Sequence, residues 1–99
     1  MGTFHDHMGE LHGITVVVRQ LDGNTWIGRC HSEDSVEVIL HDADQHVSQE
    51  SDESPEDWLK RARQMGHWPR VSTVRVPRER VKVLVRLSDV TNGGELPAS

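Results

Sequence analysis

The amino-acid sequence predicts a mainly β domain: a small five-stranded open barrel with one short helix inserted between strands three and four. Five short segments are rich in β-branched residues, tight-turn signals separate them, and a single stretch has helical periodicity. Such strands must bury one face around a common core, and closure into a barrel leaves fewer exposed edges. A chain of 99 residues with 34% hydrophobic content holds one small core, which excludes a large multidomain enzyme.

The first three strands are predicted in the N-terminal half. Residues 14–19 alternate in polarity and carry a run of β-branched side chains, as a strand requires. Residues 22–23, Asp-Gly, predict a hairpin turn because glycine adopts positive φ without steric cost. Residues 25–31 form the second strand, in which Gly28 marks a bend or a close backbone approach. Residues 36–40 form the third strand.

A loop and then a helix are predicted in the middle of the chain. Residues 41–54 are polar and acidic without apolar periodicity, which predicts a solvated loop. Ser54 is a preferred N-cap residue, and the proline and two acidic residues after it suit the first helical turn. The helix therefore covers residues 55–65, and Gly66 ends it.

The segment of residues 13–40 has a characteristic pattern: a glycine before the first strand, an Asp-Gly turn, a glycine in the second strand, a later Asp and an apolar third strand. The residues that carry it are Gly13, Asp22, Gly23, Trp26, Gly28, Asp34 and Leu40. This pattern closely resembles the first sequence motif of the Sm-like (LSm) proteins. The resemblance implies their SH3-like barrel fold and their habit of forming rings.

The fourth and fifth strands, residues 71–76 and 81–87, are joined by a very short link at residues 77–80. This region is similar to the shorter second motif of the same family, in which a brief turn joins the last two strands. Two departures concern RNA binding. The family's RNA-binding members carry an Asn shortly after the Asp of the first motif and Arg-Gly in the second, whereas residues 36–39 contain no Asn and Pro77-Arg78 replaces Arg-Gly. The resemblance therefore supports the fold and ring formation more strongly than RNA binding.

The charge of the chain is strongly asymmetric. Residues 1–57 carry a balance of −11 and residues 58–99 a balance of +6, for a net charge of −5. Either these charges pair within one fold, or they form complementary surfaces for a neighbouring subunit or an anionic partner. The candidate contacts to RNA phosphates and bases are Trp68, Arg70, Arg75, Arg78, Arg80, Lys82 and Arg86.

Three parts are predicted along the chain: a polar, His-rich N-terminal segment at residues 1–12, the Sm-like barrel domain at residues 13–90, and a disordered tail at residues 91–99.

The N-terminal segment contains a candidate metal site. Imidazole and carboxylate groups suit zinc and related metals, and the candidate ligands are His5, His7, Glu10 and His12. The alternative is a terminal segment that is merely rich in histidine.

Cys30 is the single cysteine, so the chain has no internal disulfide, which agrees with a reducing compartment. It adjoins His31, but successive strand residues point to opposite faces, so Cys30 is predicted in the core rather than as a nucleophile. No run approaches the roughly 20 apolar residues of a membrane helix, and the N-terminus lacks the layout of a signal peptide. We therefore expect a cytoplasmic protein with no membrane partner.

These observations favour a non-enzymatic binding or scaffolding module without a cofactor. An open barrel leaves backbone groups of strands four and five unpaired, and pairing strand four of one copy with strand five of the next satisfies both. Head-to-tail contacts of this kind close into a homo-oligomeric ring. One alternative is an RNA-binding Sm-like protein that uses the basic region of residues 70–86. A second alternative is a metal-binding protein that uses the N-terminal histidines.

Overall fold

The computed structural model describes residues 11–97. Within them the strands are β1 (Thr15–Gln20), β2 (Thr25–Glu33), β3 (Glu37–His46), β4 (Val71–Pro77) and β5 (Val81–Arg86), and the helix α1 is Pro55–Met65. Two short 3-10 turns, Arg78–Arg80 and Leu87–Asp89, follow β4 and β5. The prediction of five strands with one helix between the third and fourth is confirmed.

The five strands form one antiparallel sheet in the order β4-β3-β2-β1-β5. In a flat sheet, four strand spacings of about 4.8 Å would place β4 and β5 about 19 Å apart. The link Arg78–Arg80 joins Pro77 to Val81, and four residue steps span at most about 14 Å. The sheet therefore curls, and the prediction of an open barrel is confirmed.

Gly28 allows β2 and β3 to approach each other closely. A Cβ atom at this position would lie 3.0 Å from the Cβ of Ala43 and 3.2 Å from the carbonyl oxygen of His41. The pairing between the two strands also shifts register between Ile27 and Arg29, and such bulges bend a strand. The predicted close backbone approach at Gly28 is confirmed.

The sheet buries apolar side chains on both faces, so Val16, Val17 and Val18 are all fully buried. Side chains from all five strands meet on the inner face, where the buried members are Val16, Val18, Cys30, Val38, Leu40, Ala43 and Val76. On the outer face Val17 and Ile27 pack with Leu59 of α1. The inserted helix therefore covers one side of the sheet rather than extending into solvent.

The predicted loop at residues 41–54 is wrong in its first part, because β3 continues to His46. Ala43, Asp44 and His46 are buried, and Ala43 pairs with Val71 of β4. The polar side chains of this part of β3 do not show the apolar alternation of a strand, but its backbone pairs with β2 on one side and β4 on the other. Only residues 47–54 connect β3 to the helix.

The helix has the predicted bounds and both predicted ends. Ser54 Oγ accepts a hydrogen bond from the backbone N–H of Asp57 at 3.1 Å. Gly66 has φ +84°, and its N–H donates to the carbonyl oxygen of Ala62 at 2.8 Å. No helix within the described residues is long and apolar enough to cross a membrane.

Residues 91–97 lie against the helix, whereas the sequence predicts a disordered tail from residue 91. The N–H of Thr91 donates to the carbonyl oxygen of Glu95 at 2.9 Å, and Arg63 donates to the carbonyl oxygen of Val90 at 2.6 Å. Leu96 packs against the outer apolar cluster. Partial burial of Leu96 against the outer apolar cluster accounts for the difference, since this contact holds the turn in place.

Candidate binding surfaces

The two edges of the sheet are the first candidate surface. Within residues 11–97, β4 pairs only with β3 and β5 only with β1. Each edge strand therefore presents one row of backbone N–H and C=O groups without a strand partner. These are the two strands that the sequence predicts to be open.

The link Arg78–Arg80 forms a second candidate surface, because both hairpin turns hold it. The backbone N–H of Arg78 donates to the carbonyl oxygen of Val36 at 2.8 Å, and the N–H of Leu21 donates to the carbonyl oxygen of Arg80 at 2.9 Å. The link thus lies at one end of the barrel between the β1–β2 and β2–β3 turns.

Asp34 shapes the β2–β3 turn beside this link. Its Oδ1 accepts hydrogen bonds from the backbone N–H groups of Val36 at 2.7 Å and Glu37 at 2.8 Å. These two bonds, of which the one from Glu37 has the larger effect, hold the pKa of the Asp34 carboxyl below its ordinary value. The positive charge of Arg78 lowers the pKa further. The Asp of the first motif therefore has a structural task, which is to order the turn that Arg78 contacts.

The candidate RNA contacts do not form one patch. Trp68 and Arg70 precede β4, whereas Arg78 and Arg80 follow it, and a seven-residue strand separates its two ends by about 20 Å. Arg75 lies on β4, and the remaining two candidates, Lys82 and Arg86, lie on β5.

Ion pairs divide these candidates further. Arg75 Nη1 lies 2.6 Å from Glu37 Oε2, and Arg70 Nε lies 3.6 Å from Asp44 Oδ1. Both pairs join the acidic part of the chain to its basic part, so part of the charge asymmetry is neutralised within the fold. Four candidates have no carboxylate within 4.0 Å in the described part of the chain: Arg78, Arg80, Lys82 and Arg86. The uncompensated positive charge is therefore on the link and on β5.

Of the candidate metal ligands, His5, His7 and Glu10 lie outside the described residues. His12 Nδ1 lies 2.5 Å from the carbonyl oxygen of His31, whose ring stacks on His41 with centroids 4.5 Å apart. Between residues 11 and 97 no three His, Cys, Asp or Glu side chains are placed to hold a metal ion. The metal site stays a prediction.

Cys30 is fully buried in the inner cluster, which confirms its predicted place in the core. Burial, followed by the negative charge of Glu33, raises the pKa of the thiol to about 11. A thiol with such a pKa is almost entirely protonated at neutral pH, so it is a poor nucleophile.

A cleft of about 290 Å³, which the sequence did not predict, lies between the end of β3, the 47–53 connection and α1. Asp44 and His46 from β3 and the aromatic ring of Trp68 line it, with Arg70 alongside. Residues 41–54 are predicted as a solvated loop, which gives no reason to expect buried polar groups there. The one signal in the sequence is Trp68, an aromatic residue among the candidate RNA contacts.

Two solved structures share this architecture. The chain is similar to an Sm protein of Pyrococcus abyssii in complex with a uridine heptamer, with a TM-score of 0.55 and 17% identity over 83% of this chain and 94% of that chain. It is also similar to a heptameric archaeal Sm protein, with a TM-score of 0.52 and 21% identity over 87% of this chain and 97% of that one. No protein-family model matches the sequence, and no curated protein matches it. The chain has an Sm-like fold.

Proposed function

We propose that this protein is a non-enzymatic Sm-like scaffolding module that assembles with copies of itself into a ring. In this assembly, β4 of one copy pairs with β5 of the next. The observation that carries the proposal is the position of these two strands at opposite edges of one curled sheet, where each has a strand partner on one side only among residues 11–97. The similarity to a heptameric archaeal Sm protein supports it.

Pairing of the edges would also satisfy backbone hydrogen-bonding groups that the fold leaves without a strand partner among residues 11–97. Both faces of the sheet are occupied, the inner face by the barrel core and the outer face by α1. The backbone groups of the edges are then the largest regular set of hydrogen-bonding groups left for a partner. A head-to-tail contact uses two different edges, so repetition around a rotation axis closes a ring and leaves no edge open.

Proline substitutions on β4 test this assembly. Successive N–H groups of a strand alternate between its two sides, so one of Ser72→Pro and Thr73→Pro removes a donor to β3 and the other removes an outward donor. Both side chains are exposed. The variant with the higher unfolding midpoint, measured at a concentration where both proline variants are monomeric, identifies the outward donor, and we expect this variant to remain monomeric at 11.2 kDa where the wild type assembles.

Native mass spectrometry and light scattering measure the assembly, with Ser72→Ala and Thr73→Ala as matched controls that keep both donors. Wild type and both alanine variants should form the same closed oligomer. A wild-type protein that stays at 11.2 kDa at the highest soluble concentration contradicts the proposal. An outward-donor proline variant that assembles normally contradicts the use of the β4 edge.

RNA binding is the second candidate function, and the four uncompensated cations on the link and β5 favour it. Arg78 and Arg80 are held at one end of the barrel by the two hairpin turns, which fixes their backbones beside each other. The similarity to an Sm protein in complex with a uridine heptamer gives the ligand to test. Single-stranded RNA bound through these residues would release counterions, so its affinity would fall with salt.

The test measures binding of a uridine heptamer over a salt series. Arg78→Ala and Arg80→Ala should each weaken binding and reduce the salt slope by about 0.7. Arg75→Ala is the matched control, because its guanidinium is already paired with Glu37. Absence of binding at low salt excludes this function, and an equal loss for Arg75→Ala contradicts the assignment to the link.

A further inference from the structure

The cleft beside Trp68, here called the Trp68 cleft, has buried acceptors near an exposed aromatic ring. Asp44 is 9% exposed and His46 is 3% exposed, whereas Trp68 is 67% exposed. All three residues line the same space of about 290 Å³. Ligand sites in proteins are concave and combine aromatic side chains with a few convergent polar groups, and this cleft has both.

His46 provides an acceptor that has no protein donor. Its Nε2 lies 2.6 Å from the carbonyl oxygen of Glu53. Because a carbonyl oxygen only accepts, Nε2 carries the proton, and in the neutral ring Nδ1 is then an acceptor. Nδ1 is buried and has no hydrogen-bond partner among the described residues. A buried acceptor without a donor is costly, and its lone pair adds negative potential to the wall of the cleft, which favours a positively charged ligand.

Asp44 adds a negatively charged acceptor to the same cleft. Within residues 11–97 its carboxylate accepts one hydrogen bond, from the N–H of Gln45 to Oδ1 at 2.8 Å. Its ion pair with Arg70 is loose, at 3.6 Å, and the Arg70 side chain is 69% exposed. The carboxylate is therefore mostly buried but only weakly compensated, which favours a cationic ligand.

The charge of the whole cleft favours a cation over a phosphate. Three carboxylates line it, from Asp44, Glu50 and Glu53, against the guanidinium groups of Arg61 and Arg70. Arg61 is engaged by Glu53 through two hydrogen bonds, at 2.6 and 3.2 Å. The position of Arg70 beside Asp44 also shows that a guanidinium group reaches this carboxylate.

We propose that the Trp68 cleft binds a guanidinium group, stacked on the indole of Trp68 and hydrogen-bonded to the carboxylate of Asp44. A guanidinium group is planar, always charged, and presents five N–H donors with no acceptor, which matches the acceptors of the cleft. It also stacks on aromatic faces more favourably than a lysine ammonium does. Arg70 acts as an internal competitor for Asp44.

The indole N–H resonances of the three tryptophans provide the assay, assigned with Trp→Phe variants. Trp58 and Trp68 line the cleft, whereas the indole of Trp26 donates to Gln20 Oε1 at 2.7 Å elsewhere in the fold. Titration with free L-arginine and with N-acetyl-L-arginine N-methylamide should shift the Trp68 and Trp58 resonances and leave Trp26 unchanged. Binding of both compounds points to an arginine side chain of a partner protein, and binding of free arginine alone points to a small molecule. Either result supports a guanidinium site.

Variants test the roles of the two charged residues and of the ring. Asp44→Asn keeps Oδ1 as an acceptor but removes the charge, and it should weaken binding about tenfold. Arg70→Ala should tighten binding about two- to fivefold, because it removes the competitor. Trp68→Ala should weaken arginine binding, which in this variant is measured at the indole resonance of Trp58, the other tryptophan that lines the cleft. Leu21→Ala is the control, since Leu21 is exposed and does not line this cleft.

Three results would overturn the proposal. The first is a Trp68 resonance that does not move at saturating arginine concentrations. The second is equal binding of the corresponding lysine derivative, which would show that any cation suffices. The third is binding of uridine monophosphate that Arg70→Ala weakens, because this would make Arg70 a phosphate contact and the cleft part of an RNA surface.

Discussion

Gly28→Ala is the substitution that tests most directly how the barrel closes. The added methyl group would lie 3.0 Å from the Cβ and 3.1 Å from the Cα of Ala43, and 3.2 Å from the carbonyl oxygen of His41. Carbon atoms in ordinary contact are about 3.5–4.0 Å apart. Backbone atoms and a Cβ atom cannot rotate away, so β2 and β3 themselves must move apart.

The magnitude follows from two opposing contributions. Overpacking in a well-packed interior costs about 1–3 kcal/mol. Replacing glycine with alanine in a strand recovers about 0.5–1 kcal/mol of chain entropy. We therefore expect Gly28→Ala to lower the free energy of unfolding by about 1 kcal/mol, and by no more than about 2.5 kcal/mol. Ala43→Gly removes the Cβ atom that lies 3.0 Å from the added methyl group. Gly28→Ala should therefore lower the free energy of unfolding less in the Ala43→Gly background than in the wild type.

Urea unfolding followed by far-UV circular dichroism measures this change, at one fixed protein concentration because assembly would also stabilise the fold. Gly93→Ala is the matched control: its new Cβ would meet only Thr91 Oγ1, at 3.9 Å. This control should change the free energy of unfolding by no more than about 0.5 kcal/mol. A Gly28→Ala protein as stable as the control would refute the argument that β2 and β3 are in close contact here.

Three further predictions concern the core, the helix and the tail. Cys30 should react with a thiol reagent only on unfolding. Its folded pKa of about 11 exceeds the ordinary value of 9.0, so its contribution to stability is present below pH 9 and is lost as pH rises toward 11, as unfolding at stepped pH would show. Ser54→Ala removes the N-cap bond and should cost about 1 kcal/mol by thermal unfolding, whereas Ser72→Ala, at an exposed β4 position, should be near neutral. Gly94 has φ +84°, and a methyl group added there would collide with the backbone carbonyl of Glu56. Gly94→Ala should therefore lower the free energy of unfolding by at least about 2 kcal/mol and speed hydrogen exchange in residues 91–97. Slow exchange of these residues in the variant would contradict this packing.

Local signals in the sequence predicted most of the fold correctly. The helix is an example: an N-cap serine, a proline after it and a glycine beyond its end act within a few residues, so they require no knowledge of the tertiary structure. The β-branched strands and the Asp-Gly turn are equally local. The prediction for strand pairing covered only the two edges, strands four and five, because local signals do not specify which strands pair.

The end of β3 and the cleft could not be predicted in the same way. Asp44 and His46 are polar, so their burial depends on partners that are distant in sequence, such as Arg70. Likewise, the consecutive burial of Val16, Val17 and Val18 depends on α1, which covers the second face of β1. In each case a long-range contact overrides the local pattern.

Both edge strands of the sheet carry positive side chains, which opposes their pairing across a subunit boundary. Arg75 lies on β4, and Lys82 and Arg86 lie on β5, and like charges on facing strands are destabilising. Glu37 removes this objection, because its carboxylate lies 2.6 Å from Arg75 and leaves the β4 edge nearly neutral there. Of the two edge strands, only β5 then carries uncompensated charge, so a β4–β5 contact places cations against a neutralised strand. The internal ion pair thus makes the two edges electrostatically compatible, while the charge of β5 stays available to an anionic partner.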